Sequence, residues 1–347
     1  MLKPFLLFLI ATLPLFSSLL PQKVVICGVC QNTEIPLPYT LQIIEQIGAL
    51  FADYRVVVYE NNSTDQTPLL LKQWASKNPH VSITTENIPH AELALQIVNY
   101  NEDGSFYRPE LIARARNIVL DQAMSDSYAE FPYLIWMDMD FKLTPRLEGM
   151  IEAFQTDREW DAIFAYGIDP PGTFWDWYAF RDQNFPLGSE LLGNHWWYMP
   201  KRCTLTPADD WYPVYSAFGG CGIYKKASIV GCRYAAIITE DLEHVAKEQI
   251  QQGMKTQHPQ IATYLHKNQE IRSTHFIDRP TSELPFITDP AIGIHRTQGA
   301  EALIWRMSSF VYQYPSVCEH VTFHASMIKK GHTKLFIHPR LIFIYGG

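Results

Sequence analysis

The stretch "YLIWMDMDF", residues 133–141, places the strongest constraint on the fold of this chain. Its first five residues are apolar, and they lead directly into Asp138 and Asp140, one residue apart. A run this apolar is typical of a parallel strand that is buried on both faces. Strand side chains alternate between faces, so the two carboxylates are expected to point the same way. Because like charges repel, we expect a cation between them.

Alternating strand and helix patterns lead up to this stretch and follow it. Apolar strands are predicted at 23–30, 54–60, 81–85, 132–137 and 160–168, and helices at 41–51, 68–74, 109–124 and 145–154. This order predicts an α/β fold with a mostly parallel sheet and helices on both faces. We expect one large domain with a long insertion.

The pattern weakens after residue 170. Residues 174–198 hold nine aromatic residues in twenty-five, against 13% for the whole chain. Strand and turn patterns return at 214–229, and residues 255–300 are polar and poorly periodic, which is typical of a lid or an insertion. A helix at 317–331 and a strand at 334–345 are predicted to follow.

Composition narrows the classes of function. The chain has 347 residues, a net charge of −8 and a pI of about 5.8, which argues against nucleic acid as a partner. An anionic ligand would need a metal ion or a few local cations. The six cysteines are expected to be small buried side chains, and a Cys221–Cys232 disulfide is left open.

Residues 1–20 differ from the rest of the chain. Lys3 precedes an apolar run that contains Pro4 and Pro14, a pattern typical of a signal peptide or a short signal anchor. A buried N-terminal helix is the alternative. The interpretation predicts a protein that is exported or associated with a membrane through its N-terminus, with cleavage left open.

Polar clusters follow three of the predicted strands, and ligands of open α/β sheets bind at such strand ends. No glycine-rich phosphate loop follows the first strand. A phosphate-bearing ligand would therefore need a divalent cation. Asp138 and Asp140 offer the hard oxygen ligands that Mg²⁺ and Mn²⁺ prefer.

The chain resembles nucleotide-sugar glycosyltransferases of the A-type fold at these positions. The segments "YENNSTDQT" (59–67) and "RARNIVLDQA" (114–123) carry the resemblance together with the D-x-D pair. Three further segments resemble the cryptococcal α-1,3-mannosyltransferase family and its capsule-associated relatives: "WDWYAFRD" (175–182), "PVYSAFGG" (213–220) and "CEHVTFHASMIKKGHTKLFIHPRL" (318–341). The resemblance implies that residues 22–347 form the transferase domain.

The resemblance also divides that domain. Residues 22–170 would form the nucleotide-sugar-binding half and residues 171–347 the acceptor half. An insertion at about 231–314 resembles nothing in the family. The donor would be a GDP- or UDP-sugar, and the cofactor would be Mn²⁺, or Mg²⁺ in its place.

The resemblance assigns roles on the donor side. Asp138 would lie near the ribose and the metal, Asp140 would bind the metal, and His338 would be a third ligand. Glu60 would bind ribose or base, Arg116 would face the diphosphate, Asn117 would orient the D-x-D backbone, and Gly219 and Gly220 would admit the donor sugar. The alternatives are a turn residue for Glu60, a solvated helix face for Arg116 and Asn117, and an ordinary turn for Gly219 and Gly220.

On the acceptor side, Asp176, Trp177 and Arg181 would bind sugar by stacking and hydrogen bonding, with a hydrophobic subcore as the alternative. Asp182 and Glu319 would form the catalytic pair. In an inverting enzyme Glu319 would take the acceptor proton, and in a retaining enzyme it would orient the acceptor or stabilise positive charge. It could instead be a helix N-terminal acid without chemistry.

The sequence therefore predicts a metal-dependent transfer of a hexose, with mannose favoured, to a carbohydrate acceptor. The resemblance favours retention of configuration. Two alternatives stay open: a nucleotidyl transferase or phosphohydrolase on a similar sheet, and a non-catalytic carbohydrate-binding protein that uses the aromatic segment.

Overall fold

A computed structural model describes residues 20–101, 103–193, 203–275, 286–289, 294–297, 303–306 and 315–346. Strands and helices alternate through the first half. They are β1 (Leu20–Cys30), α1 (Leu37–Gly48), β2 (Phe51–Asn61), α2 (Thr67–Ala75), β3 (Val81–Glu86), α3 (His90–Leu93), α4 (Arg108–Ala123), β4 (Tyr133–Asp138), α5 (Glu148–Gln155) and β5 (Ala162–Ile168).

The second half holds shorter strands and the longest helix. Its elements are α6 (Ser189–Leu192), β6 (Tyr212–Pro213), β7 (Cys221–Lys225), α7 (Glu240–Lys255), α8 (Pro259–His275), β8 (Phe286–Asp289), β9 (Ile294–Thr297), β10 (Ile304–Arg306), α9 (Glu319–Lys329) and β11 (Leu335–Ile344). Two short 3₁₀ turns follow α4 and β7.

Eight strands form the main sheet in the order β3-β2-β1-β4-β7-β5-β11-β6. Strands β3, β2, β1 and β4 run parallel, as do β5 and β11, while β7 and β6 are antiparallel to their neighbours. Strands β8, β9 and β10 form a separate antiparallel sheet. The predicted α/β fold with a mostly parallel sheet is confirmed.

Helices cover both faces of the main sheet, because strands such as β4 send apolar side chains alternately to its two faces. Leu134 and Trp136 enter the core formed with α4, α7 and α9. Ile135 and Met137 enter the opposite core, formed with α1, α2 and α5. Asp138 has the parity of Trp136, so it leaves the sheet on the side of α4 and α9.

Several details differ from the sequence predictions. Strand β1 begins at Leu20 rather than at residue 23, because the Leu20 N–H donates to the Leu50 carbonyl at 2.9 Å. Helix α8 lies inside the stretch that was predicted to be irregular. All six cysteines are buried and unpaired, so the Cys221–Cys232 disulfide does not form.

The predicted signal segment lies outside the described residues, apart from Leu20 at the start of β1. Three aromatic residues of the 174–198 segment, at 196–198, also lie outside them. Among the helices that the structure does describe, none combines the length and apolar character needed to cross a membrane.

Candidate active site

A cleft of about 1110 Å³ opens at the carboxyl ends of the parallel strands. Cys30 at the end of β1, Asp138 at the end of β4 and Tyr345 just beyond β11 line it. The starts of α4 and α9 and the segment 173–178 line it as well. This is the edge at which ligands of open α/β sheets bind, and we refer to this space as the cleft.

Asp138 makes three contacts where β4 enters the cleft. Its Oδ1 lies 3.3 Å from Nη2 of Arg116, its Oδ2 accepts a hydrogen bond from the Tyr345 hydroxyl at 2.9 Å, and its N–H donates to the Gly220 carbonyl at 3.0 Å. Burial, opposed by Arg116 and aided by nearby Asp140, raises the pKa of Asp138 to about 7. Asp138 therefore has less positive charge around it than a carboxylate at this depth requires.

Arg116 is buried and is shared by two predicted site carboxylates. Its Nη2 contacts Asp138, its Nε lies 3.8 Å from Oε1 of Glu319, and its Nη1 donates to His320. Its guanidinium carbon also lies 4.7–5.6 Å from the ring centres of three aromatic residues, which are Trp136, Phe218 and Tyr234. Burial lowers the pKa of Arg116, but the two carboxylates outweigh it and hold the pKa above its usual range.

Glu319 begins α9 and lines the cleft on the side facing β4. Its Oε2 lies 3.8 Å from the Cys318 thiol. Next to it, His320 stacks on Phe218, with ring centres 4.0 Å apart. Burial, with the adjacent Arg116 charge as a further cause, lowers the pKa of His320 well below its usual value, so this ring is neutral.

Asp176 is held against a glycine turn. Its Oδ2 accepts from the Gly219 N–H at 2.7 Å, and burial raises its pKa despite that hydrogen bond. Gly219 and Gly220 have φ of 62° and 83°, which side chains rarely adopt. A Cβ at Gly219 would lie 2.1 Å from the Ala165 carbonyl oxygen. These glycines serve close packing inside the protein and do not line the cleft, and their predicted role at the donor sugar stays a prediction.

The aromatic segment forms one wall of the cleft. Trp175, Trp177 and Tyr178 line it, and Trp175 stacks on Tyr345 with 6.0 Å between ring centres. Arg181 also lines the cleft, but its Nη2 donates to Oε2 of Glu190 at 2.8 Å and both side chains are buried. The predicted sugar contacts are thus available from the tryptophans, while Arg181 is already paired.

Asp182 and His338 are not placed at the cleft. Asp182 accepts from the N–H groups of Asn184 and Phe185 at 2.9 and 2.6 Å, which folds its own loop. His338 lies in the middle of β11, with Nε2 3.3 Å from Glu152, six residues before the strand ends. Neither side chain lines the cleft that holds Asp138 and Asp140, so the catalytic role of Asp182 and the metal-ligand role of His338 stay predictions.

Asn117 and Glu60 are held by contacts within the protein. Asn117 bonds the Tyr234 backbone twice, at 2.8 and 2.9 Å, and does not reach the D-x-D backbone. Glu60 is buried beside the cleft at the end of β2, where its Oε1 accepts from the Ser63 N–H at 2.9 Å. Its Oε2 is buried without a hydrogen-bond partner, and Glu60 itself does not line the cleft, whereas the next residue, Asn61, does.

Residues that the sequence reasoning missed also line the cleft, chiefly Tyr345, Tyr107 and Arg306. The strand-end rule could have found Tyr345, because it is the last residue of the strand predicted at 334–345. Arg306 lies in the stretch that resembled nothing, and no pattern there pointed to it.

The donor set at the end of β4 fits a divalent ion that brings further ligands with it. Across the described parts of the chain, no group of three or more His, Cys, Asp or Glu residues could hold a metal by itself. Asp140 is exposed, lines the cleft and has no hydrogen bond or ion pair within those parts. Mg²⁺ and similar ions commonly bind through one or two carboxylates plus substrate phosphates and water.

Comparison with solved structures finds sugar transferases of low identity. The mannosyltransferase PcManGT from Pyrobaculum calidifontis, solved with GDP-Man and Mn²⁺, is 16% identical with a TM-score of 0.35, over 67% of this chain and 53% of that one. S. aureus TarS, solved with UDP-GlcNAc, is 16% identical with a TM-score of 0.33, over 62% and 49%.

Glucosyl-3-phosphoglycerate synthase from Mycobacterium tuberculosis, solved with UDP, is 11% identical with a TM-score of 0.33, over 85% and 90% of the two chains. This chain spans about half the length of the first two structures. No protein-family model matches the chain, and neither does any curated protein. Similarities at this level do not assign an activity, which has to be argued from the cleft.

Proposed function

We propose that this protein is a metal-dependent glycosyltransferase of the A-type fold. It would transfer a hexose, with mannose favoured, from a GDP- or UDP-sugar to a carbohydrate acceptor. The supporting observation is that a buried strand delivers Asp138 and Asp140 into a cleft of about 1110 Å³. The facing wall carries Glu319 and two tryptophans, so phosphate chemistry and sugar binding meet in one space.

Asp138 and Asp140 would hold Mn²⁺ or Mg²⁺ at the diphosphate of the donor. When bound, such an ion stabilises the negative charge that develops on the leaving diphosphate. Arg116 and Tyr345 fix both oxygens of Asp138, so this carboxylate is already oriented before a ligand arrives. Glu60 would bind ribose or base from the end of β2, one residue before Asn61, which lines the cleft.

Glu319 would act on the acceptor. It begins α9 opposite β4, and its carboxylate lies 3.8 Å from Nε of Arg116, which limits its freedom to swing. A retaining reaction, which the sequence resemblance favours, would use it to orient the acceptor or to stabilise positive charge on the sugar. Trp175 and Trp177 would stack on sugar faces at the neighbouring wall.

Turnover of nucleotide sugars tests the proposal directly. GDP-mannose, UDP-glucose and UDP-GlcNAc are incubated with the protein and Mn²⁺, with and without excess chelator, and both hydrolysis and transfer are measured. We expect one donor to be consumed only when metal is present. Asp140→Asn should reduce that rate about a hundredfold or more. Asp121→Asn, which alters an exposed carboxylate paired with Arg233, is the matched control.

Two other outcomes would favour the alternatives. Release of a nucleoside monophosphate or inorganic phosphate, rather than a nucleoside diphosphate, indicates a nucleotidyl transferase or phosphohydrolase. Binding of neutral oligosaccharides without consumption of any donor indicates a carbohydrate-binding protein. The exposed ring of Trp175 is the specific observation that favours this second candidate.

We also propose that residues 1–20 direct export or hold the protein at a membrane. The support is the apolar run after Lys3 in the sequence. A fusion of residues 1–20 to a reporter enzyme should leave the cytosol, and a reporter that stays there contradicts this part of the proposal.

A further inference from the structure

Four arginines line the cleft, and they differ in their partners. Arg116 is paired with Asp138 and Glu319, and Arg181 with Glu190. Arg108 is exposed at the start of α4, where water can solvate it. Arg306 is half-buried and forms no ion pair with any acidic residue that the structure describes. A cation withdrawn from water without an anion nearby is costly, so its position calls for a reason.

The described surroundings of Arg306 use only part of the hydrogen-bonding capacity of its guanidinium. Its Nη2 donates to Oδ1 of Asn268 at 2.6 Å, while its Nε is buried without a hydrogen-bond partner. Burial lowers the pKa of Arg306. Lys267 precedes Asn268 on α8, and its pKa is lowered by burial and by the positive charge of Arg306. The Lys267 ammonium lies 3.5 Å from the Leu192 carbonyl and forms no ion pair within the described segments. Two cations therefore lie close together, and neither forms an ion pair with an acidic residue of the described ranges.

We propose that Arg306, with Lys267 behind it, binds an anionic group of the acceptor carbohydrate, a carboxylate or a phosphate. This inference rests on the proposed function and narrows its acceptor class. A guanidinium can hold either anion through two parallel hydrogen bonds, and it loses less to desolvation than an ammonium. In a chain with a net charge of −8, an anionic acceptor needs such a local cation.

The position of Arg306 favours the acceptor over the donor. Arg306 ends β10, which belongs to the small sheet and packs against α6. Its Cγ lies 3.7 Å from the Cβ position of Gly193, just after α6. Asp138 and Asp140 instead lie at the carboxyl end of β4, in the middle of the main sheet. The diphosphate and a second anion would thus occupy different walls of the cleft.

Binding measured without a donor tests the inference independently of turnover. Methyl α-mannoside, methyl α-glucuronide and mannose 6-phosphate are titrated by NMR into the wild type, Arg306→Gln, Arg306→Lys and the control Arg233→Gln, which changes an exposed arginine outside the cleft. We expect the wild type and the control to bind an anionic sugar roughly 10- to 100-fold more tightly than the neutral one. Arg306→Gln should lose this preference, and Arg306→Lys should keep part of it.

The experiment distinguishes a carboxylate from a phosphate as the bound anion, and it tests this inference separately from the proposed function. Preference for the glucuronide identifies a carboxylate, and preference for mannose 6-phosphate identifies a phosphate. Equal binding of all three sugars by the folded wild type overturns the inference, as does a loss of GDP or UDP binding in Arg306→Gln while its sugar preference persists. Absence of donor turnover in the wild type counts against the proposed function, and leaves the measured sugar preference as it is.

Discussion

The guanidinium of Arg116 lies between Asp138 and Glu319, so its removal leaves two carboxylates without their shared cation. We expect Arg116→Met to lower the free energy of unfolding by about 3–5 kcal/mol, the usual cost of breaking a buried ion pair on one side. Urea denaturation measures this loss. Arg114→Met, on the same helix but half-buried and bonded to Tyr59 and Gln96, should cost about 1 kcal/mol. Equal losses in both variants would contradict the shared-cation role.

Glu319 can be separated from the metal-binding carboxylates by its effect on turnover. Glu319→Gln keeps the shape of the side chain, so metal-dependent nucleotide binding should stay close to that of the wild type. The rate of transfer should fall roughly 10²–10⁴-fold if the residue acts as an acid or base, and less in a retaining role. Calorimetric titration with GDP or UDP and a transfer assay measure the two effects.

The matched control for this variant is Glu240→Gln, because Glu240 is also the first residue of a helix but is exposed. Helix-terminal charge is changed in both variants, whereas the cleft is changed in only one. Full activity of Glu319→Gln would leave the residue as a helix-start acid without chemistry.

Local pattern predicted Asp138 and Asp140 because a buried strand that ends in two carboxylates is unusual by itself. It could not predict the partner of Arg116, since Asp138 is 22 residues away and His320 is 204. The assignments of Asn117, Asp182 and His338 followed positions in a remote family. Their side chains satisfy local backbone groups or buried neighbours, which only the folded structure reveals.

At the level of elements, the turn before β7 depends on Gly219. Two features act together there: a φ of 62°, and the 2.1 Å that would separate an alanine Cβ at this position from the Ala165 carbonyl oxygen. We expect Gly219→Ala to destabilise the protein by several kcal/mol, about 1–2 from the backbone conformation and the rest from the clash. Gly172→Ala is the control, because Gly172 has a φ of 90° but nothing within 4 Å of its Cβ position. Similar unfolding midpoints for the two variants would contradict the role of the close approach.

Strands and helices with regularly spaced apolar residues were predictable from the sequence. Helix α8 was not, because its apolar spacing is weak. Its buried residues include Ile261, Tyr264 and Asn268, a narrow stripe in which one member is polar. Such a stripe resembles a solvated segment in the sequence. The cap formed by Asp65 was predictable, because its partner is local in the sequence. Its Oδ1 accepts from the Thr67 N–H, two residues later, at 2.9 Å.

For the whole molecule, buried histidines predict how stability depends on pH. Burial lowers the pKa of His324 to about 3 and that of His338 to about 4. An unfolded histidine titrates near 6.5, so the unfolded chain binds more protons below that pH. Their contribution is complete above pH 6.5 and is lost as pH falls toward 3–4, at up to about 1.4 kcal/mol per pH unit for each histidine. Asp138, with its raised pKa, acts in the opposite direction between pH 3.8 and about 7.

Urea denaturation at pH 6.5, 5.5 and 4.5 measures this dependence. His324→Gln removes one titrating ring, so its stability should fall less steeply with acid, by about 1.4 kcal/mol per pH unit. His244→Gln, which changes an exposed ring on α7, should keep the slope of the wild type. Parallel lines for wild type and His324→Gln would contradict the assignment of the neutral buried ring.

The order of strands in the sheet is the part of the fold that the sequence could not predict. Alternating strands and helices predict parallel neighbours, and β1 to β4 obey that rule. Strand β7 breaks it by entering antiparallel between β4 and β5. The sequence of its five residues does not indicate that position. The position depends on which strand edges are available, and these edges exist only after the other strands have paired.

The late arrival of β7 has a consequence for synthesis on the ribosome. Residues 221–225 emerge after both strands that they join, so β4 first stands at the open edge of a β3-β2-β1-β4 unit. At 5–20 residues per second, the gap from residue 138 to residue 221 lasts roughly 4–17 s. An apolar edge strand exposed for that time pairs readily with other chains. The nascent protein therefore passes through a window of several seconds in which β4 is the edge most open to pairing with another chain.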